Sequence, residues 1–260
     1  MQIIIPMTGY GSRFVAAGYR ELKPFINVQG HPVIEWIIKG MYSDEDEFIF
    51  VCREAHLLEN KGMEQYLKSL ARNASVVSID NWVKKGPVFD VLRAGDYIDD
   101  TRPVIINYCD FYMAWDWNGF KRDVEKNNCD GAIPCYTGFH PHLIPKKNLY
   151  ASCRTDYEGY LLEIREKYSF EADKLQAKHS PGVYYFKSGY IMKKYCQALV
   201  DSQEDINGEF YASMPYKFML KDNMKIWVPV NVKWFCQWGT PEDMKEYLFW
   251  SEVCRGMEER

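Results

Sequence analysis

The chain has 260 residues, 47% of them hydrophobic, and a formal net charge of −4. That length suits one α/β domain with insertions and a sizeable core. The acidic balance excludes a broad electrostatic footprint for nucleic acid, and no run reaches the roughly 18 consecutive apolar residues of a membrane span.

Elements follow in chain order from periodicity. Residues 3–6 are a short apolar run ending in a glycine turn. Val33, Ile34, Trp36, Ile37, Ile38 and Met41 recur at helical spacing. Residues 47–52 (EFIFVC) predict a buried strand, 57–71 an amphipathic helix with Gly62 inside it, and 74–79 a β-branched strand. Helical spacing returns over 88–98, a buried strand over 103–108 (PVIINY), a helix over 117–124 and an extended run over 131–136. Residues 139–147, interrupted by Pro141 and Pro145 and ending in Lys146-Lys147, read as a loop or lid. Beyond them, 160–164, 182–186 and 226–232 read as strands, and 209–220 and 241–253 as helices. Such alternation predicts a mostly parallel twisted sheet flanked by helices, Rossmann-like in layout. Ligands of such sheets bind beyond the carboxyl ends of the strands. The start of the chain lacks the basic-then-apolar order of a signal peptide. Its eight cysteines include no CxxC pair. A cytoplasmic protein with reduced thiols is therefore expected.

The strongest chemistry lies in 3–24, IIIPMTGYGSRFVAAGYRELKP. A strand runs into Gly9-Tyr10-Gly11-Ser12-Arg13. Glycines in such a turn let backbone N–H groups approach phosphate oxygens closely. The Arg13 guanidinium can chelate oxygens in bidentate fashion, and Lys23, before Pro24, adds a point charge. In phosphoryl transfer, positioning and charge neutralisation supply most of the catalysis. Taken alone, Gly9 and Gly11 are equally well a plain strand-to-helix turn. The Walker A ending is missing, as is the third glycine of a dinucleotide fingerprint.

A second buried strand delivers Asp110 at its end. A carboxylate there either holds Mg²⁺ against phosphate oxygens or closes the strand as a turn residue. Lys84-Lys85-Gly86-Pro87 is also a simple helix start with Pro at the first position. Residues 163–167 (EIREK) are also a solvated charge run. Thr240-Pro241-Glu242-Asp243 has the makings of a helix N-terminus. His140 and His142 lack the partners of a zinc site.

With these pieces in order, the chain resembles the nucleotidylyltransferases that activate sugar phosphates, a GT-A-like α/β family, over nearly its whole length. The family's G-x-G-(S/T)-R, followed by K-P, is matched by Gly9, Gly11, Ser12, Arg13, Lys23 and Pro24. Met7-Thr8 stand where many members have two small residues. The resemblance implies one domain over 1–260, with a nucleotide-binding part (1–135), an inserted mixed acceptor-binding region (136–235) and a C-terminal helix (241–256). It implies Arg13, Lys23 and Asp110 as catalytic groups. Met7, Thr8, Gly9, Gly11, Ser12, Gly86 and Pro87 would bind nucleotide, with the base near Gly86. Glu166, Lys167, Gly182 and Tyr211 would bind the acceptor, Glu166 through hydroxyls or an amine and Lys167 through the phosphate.

The resemblance also implies Mg²⁺ on Asp110. The family often shows W-x-D-x-G-T-P-x-D where this chain has Gln237-Trp238-Gly239-Thr240-Pro241, so Gln237 replaces a second metal ligand. A neutral amide binds Mg²⁺ more weakly than a carboxylate. Either its carbonyl or another acid, such as Asp116, would complete the site. The expected reaction joins a nucleoside triphosphate to a phosphorylated small molecule and releases pyrophosphate. The Gly-Ser-Arg-Phe wording is also similar to cytidylyltransferases that activate phosphocholine or other surface-polymer decorations. CTP, UTP and dTTP, and sugar 1-phosphate, phosphocholine and phosphoglutamine, all stay open. A glycosyltransferase of the same fold would need a D-x-D site, and Asp110 is followed by Phe111 and Tyr112. A non-catalytic nucleotide-binding protein is the other alternative. Aromatic residues in the C-terminal half would permit a homodimer.

Overall fold

Strands made of continuous apolar residues need cover on both faces, and the architecture supplies it. The computed structural model describes residues 1–145 and 148–258. β1 (Gln2–Pro6) leads to the short helix α1 (Ser12–Ala16), the hairpin β2 (Asn27–Val28) and β3 (His31–Pro32), and α2 (Val33–Met41). Then come β4 (Glu47–Arg53), α3 (Glu54–Glu59), α4 (Met63–Ser69), β5 (Ala74–Ile79) and α5 (Pro87–Arg93). β6 (Val104–Asn107), β7 (Phe111–Ala114), α6 (Trp117–Lys126) and β8 (Gly131–Ala132) follow. After them lie β9 (Ser152–Thr155), β10 (Leu161–Arg165), β11 (Lys178–His179) and β12 (Val183–Phe186). The last elements are α7 (Gly189–Ser202), α8 (Pro215–Lys221), β13 (Ile226–Trp227), β14 (Trp234–Gln237) and α9 (Pro241–Glu258).

Seven strands form one sheet in the order β13-β8-β12-β6-β1-β4-β5. β1 pairs in parallel with β4 and β6, and β4 with β5. β12 runs antiparallel between β6 and β8. The sheet is thus mixed but mostly parallel, as the sequence predicts. Alternate side chains of each strand enter different cores. Ile3, Ile5, Phe48, Phe50 and Ile105 face a layer that includes Ile34 and Ile38 of α2, Leu67 of α4 and Phe120 of α6. Ile4, Ile49, Val51, Val104 and Ile106 face Val88 and Val91 of α5, Met192 and Leu199 of α7, and Tyr216 of α8. A small antiparallel sheet, β10-β9-β11, stands apart in the region expected to bind the acceptor.

Several elements differ from the periodicity. The helix expected over 57–71 splits into α3 and α4 because Gly62 takes a left-handed conformation (φ 89°) and caps α4. The helix expected over 88–98 gives way after Arg93 to a 3-10 turn from Gly95 to Tyr97. Only the end of 209–220 is helical: α8 begins at Pro215, where a missing N–H costs nothing. In 226–232 the strand stops at Trp227, and Val230 returns only as an isolated bridge to Cys135. No element is assigned from the sequence over Gly189–Ser202, yet this is a 14-residue helix, capped by Ser188 accepting from the Ile191 N–H. Pro141 to Leu143 of the expected lid form a 3-10 turn; Lys146 and Lys147 lie outside the described residues. Among the described residues no helix is long and apolar enough to cross a membrane.

Candidate active site

The site begins where β1 ends. Met7 N donates to Val51 O at 2.8 Å, extending the ladder one residue past the strand. The chain then turns through Gly9–Gly11. Gly11 is left-handed (φ 60°) and starts α1, which buried Phe14 anchors to the core. A cavity of about 540 Å³ opens here, bounded by this turn, Lys23, Gly86, Asp110 and Tyr211. It lies off the carboxyl ends of β1 and β6, where a parallel sheet leaves room for ligand.

Lys23 stands at the start of a 3-10 turn, and Pro24 is buried beneath it. Its Nζ lies 2.6 Å from Asp110 Oδ2, with both side chains half-buried. The ion pair joins the two segments that the sequence singles out separately. The Trp238 N–H donates to the Asp110 carbonyl at 3.0 Å, so the β14 turn is fastened to the same strand end. A Cβ built on Gly239 would run into Gln237 Nε2 and lie 3.2 Å from Asp110 Oδ2. Gln237 and Asp110 therefore flank one glycine. Asp116 is elsewhere: it caps α6 by accepting from the Gly119 N–H at 2.8 Å. That corrects the expectation that Asp116 could complete the metal site. Asp243 lies nearer Asp110 and is pushed up from the usual carboxylate range, by burial first and by Glu242 and Asp110 next. Thr240 does cap α9, accepting from the Asp243 N–H at 3.1 Å and donating to its carboxylate at 2.7 Å. Arg13 is exposed on the cavity wall.

Where the glycine turn meets α5, the cavity holds groups the sequence did not single out. Asp90, in the first turn of α5, is only 2% exposed. Thr8 Oγ1 donates to its Oδ2, and Trp82 Nε1 to its Oδ1 at 2.8 Å. Burial pushes the Asp90 carboxyl up to about 6 against the pull of these two bonds. Beside it, the rings of Tyr10 and Trp82 meet edge to face at 5.0 Å. The buried Arg53 guanidinium lies over both, 3.9 Å from the Tyr10 centroid and 4.9 Å from that of Trp82. An acidic residue in a first helical turn normally reads as a response to the helix dipole. The available signal was its position among Val88, Val91 and Ala94, on the face that becomes buried.

Gly86 is required by a close approach. With φ 89° and ψ 172°, it lies against the Phe210 backbone; an added Cβ would be 2.7 Å from Phe210 N and 2.8 Å from Phe210 O. The contact brings in Glu209 and Tyr211. A chain of polar contacts then crosses the rim: Lys167 Nζ donates to Tyr211 Oη at 3.2 Å, and Tyr211 O–H donates to Glu209 at 3.0 Å. Glu209 pairs with Lys84 at 2.7 Å. Lys167 thus stands behind the cavity wall, tied to it through Tyr211. Glu166 turns away, into a neighbouring cavity of about 680 Å³, where Ser213 Oγ donates to it. Burial pushes Glu166 up to about 7. Gly182 does not face the cavity: its φ of 101° and a Cβ position 2.9 Å from the Tyr108 ring make it a packing glycine behind that wall.

No family model and no curated protein sequence matches the chain. Solved structures do. A nucleoside-diphosphate-sugar pyrophosphorylase from Vibrio cholerae RC9 superposes with a TM-score of 0.75 at 17% identity, over 95% of this chain and 99% of that one. UDP-glucose pyrophosphorylase complexed with UDP-glucose gives 0.74 at 15% identity, over 97% and 98%. HddC from Yersinia pseudotuberculosis complexed with GMP-PN gives 0.61 at 18%, over 95% and 97%. The chain has the fold of the nucleotide-sugar pyrophosphorylases. Within this pyrophosphorylase fold, the glycine turn, Lys23 and Asp110 surround one cavity, while Gly182, Glu166, Lys167 and Gln237 are not among the described residues that line it.

Proposed function

We propose that the chain is a nucleotidylyltransferase that moves a nucleoside monophosphate from a triphosphate to a phosphorylated small molecule. The observation that carries this reading is the convergence of Arg13, Lys23 and Asp110 on one cavity beneath a glycine turn. The triphosphate lies across Gly9 to Arg13, with its base toward Gly86. An oxygen of the acceptor phosphate attacks the α-phosphorus in line. One P–O bond forms, the bond to the β-phosphate oxygen breaks, and pyrophosphate leaves with that electron pair. No side chain acts as nucleophile. Arg13 and Lys23 neutralise the charge that builds on the phosphoryl oxygens. Lys167, held by Tyr211, takes the acceptor phosphate.

The Asp110 carboxylate would hold Mg²⁺, which commonly rests on one or two carboxylates and substrate phosphates; Gln237 presents its Nε2 to Gly239, so a carbonyl ligand from it requires the amide to turn. When bound, the ion would screen triphosphate charge. CTP ranks first, ahead of UTP and dTTP. The acceptor is a sugar 1-phosphate or a non-sugar phosphate such as phosphocholine or phosphoglutamine. Its use would be capsule or surface polysaccharide synthesis.

A pyrophosphate-release screen of CTP, UTP, dTTP, ATP and GTP against these acceptors tests the reading. Release that requires both triphosphate and acceptor supports it. Triphosphate binding with no release from any pair would instead favour a non-catalytic nucleotide-binding protein, the alternative for which Gln237 speaks.

A further inference from the structure

Asp90 presents a problem in electrostatics. It is a buried carboxylate with no direct ion pair among the described residues: two neutral donors bond it, and only the more distant charges of Arg93 and Arg53 favour its ionised form. Burying a charge without a partner is costly. A purely structural residue between Thr8 and Trp82 would do better as an amide or an apolar group. Yet Asp90 forms part of the cavity wall. A negative charge repels phosphate oxygens, so Asp90 can serve only a part of the ligand that carries hydrogen-bond donors.

The two bonds orient the carboxylate. Each of its oxygens has two lone-pair sites, and the protein occupies one on each. What the wall offers a ligand is therefore acceptors and no donor. In a dry pocket, an acceptor-only group favours an N–H and repels a carbonyl oxygen. Exocyclic amines of cytosine, adenine and guanine supply such donors. Uracil and thymine present an N3–H flanked by two carbonyl oxygens, which would be pressed against the carboxylate. The Tyr10–Trp82 pair with Arg53 behind it gives this part of the cavity an aromatic wall fit for a flat ring.

We propose that Asp90 selects the nucleobase, accepting a hydrogen bond from an exocyclic amine, so that triphosphates of amine-bearing bases are used before UTP or dTTP. The inference rests on the cavity being a triphosphate site.

Calorimetric titration of the purified protein with CTP, ATP, GTP, UTP and dTTP, in the presence of Mg²⁺, tests it without knowledge of the acceptor. At least one amine-bearing triphosphate should bind about tenfold or more tightly than UTP and dTTP, the scale of one hydrogen bond to a charged group. Asp90→Asn should erase that ratio, and Arg13→Ala should weaken all five alike without reordering them. Should Asp90→Asn fail to fold, Trp82→Phe, which frees Oδ1, should narrow the same ratio. Wild-type preference for UTP or dTTP, or a ratio unchanged in the folded variants, would overturn the assignment of Asp90 and leave the triphosphate site standing. Failure of all five to bind would overturn the triphosphate site itself.

Discussion

Replacing Gly86 by alanine should damage the fold and the rim of the cavity together. The backbone there (φ 89°, ψ 172°) belongs to a region open essentially to glycine. Forcing alanine into it costs about 1–3 kcal/mol before any contact is counted. The new Cβ would also lie under 3 Å from both Phe210 N and Phe210 O, which are backbone atoms with no soft way to yield. Those same atoms bond Lys85 O at 2.8 Å and the Val88 N–H at 3.2 Å. Moving the segment forfeits these bonds, each worth about 1 kcal/mol. We expect a loss of about 3 kcal/mol or more, and for a chain of this size a fall in Tm of roughly 6–12 °C. Thermal melts and urea unfolding measure it directly. Because Glu209 and Tyr211 flank Phe210, acceptor KM should rise in the fraction that folds. Gly9→Ala is the control: its Cβ would meet nothing within 4 Å, so its melting should stay near wild type. A Gly86→Ala protein that melts with the wild type would refute the account of this contact.

Other substitutions probe the chemistry. Arg13→Ala and Lys23→Ala should each lower kcat by about two orders of magnitude or more while the far-UV spectrum is kept; turnover near wild type in either would remove that residue from its role. Gln237→Asp, which adds a second carboxylate beside Asp110, should lower the Mg²⁺ concentration needed for half-maximal pyrophosphate release, and an unchanged metal titration would place Gln237 outside the metal site. Stability should depend on pH through Asp90, whose carboxyl is raised from 3.8 to about 6 on folding. Between these values the folded state binds more protons, so this contribution rises as pH falls from about 7 to 4, by ~3 kcal/mol at most. His56, pushed down to about 4 by burial and Arg53, and His142, pushed down to about 3 by burial, act in the opposite sense below their ordinary value. The difference between wild type and Asp90→Asn, measured by urea unfolding across that range, isolates the carboxyl; a pH-independent difference would contradict its burial as a charge.

The central strands were legible because runs such as Ile3-Ile4-Ile5 and Phe48-Ile49-Phe50-Val51 have no polar alternation, and only a sheet covered on both faces accommodates them. The turn after β1 was legible because glycines, a guanidinium and an ammonium recur within one short stretch. Helix α7 went unassigned although its buried Gly189, Met192, Tyr195, Cys196 and Leu199 keep helical spacing; the signal was present in the residues and was not read. The charge run 163–167 was ambiguous because its last two residues lie in the turn after β10, where Lys167 takes a left-handed conformation (φ 54°) and the two side chains part. Lys167 goes to Tyr211 and Glu166 to Ser213.

What the sequence determined alone is local: hydrophobic period, turn chemistry, and the order of cationic and acidic groups along the chain. Those properties depend on near neighbours, so a string of residues is enough to read them. The tertiary structure decided which distant groups meet. Only folding sets Lys23 against Asp110, presses Gly86 on Phe210, and buries Asp90 between Thr8 and Trp82. The reason is that burial and electrostatic coupling depend on distance in space, and packing across the sheet brings together segments that the chain keeps far apart.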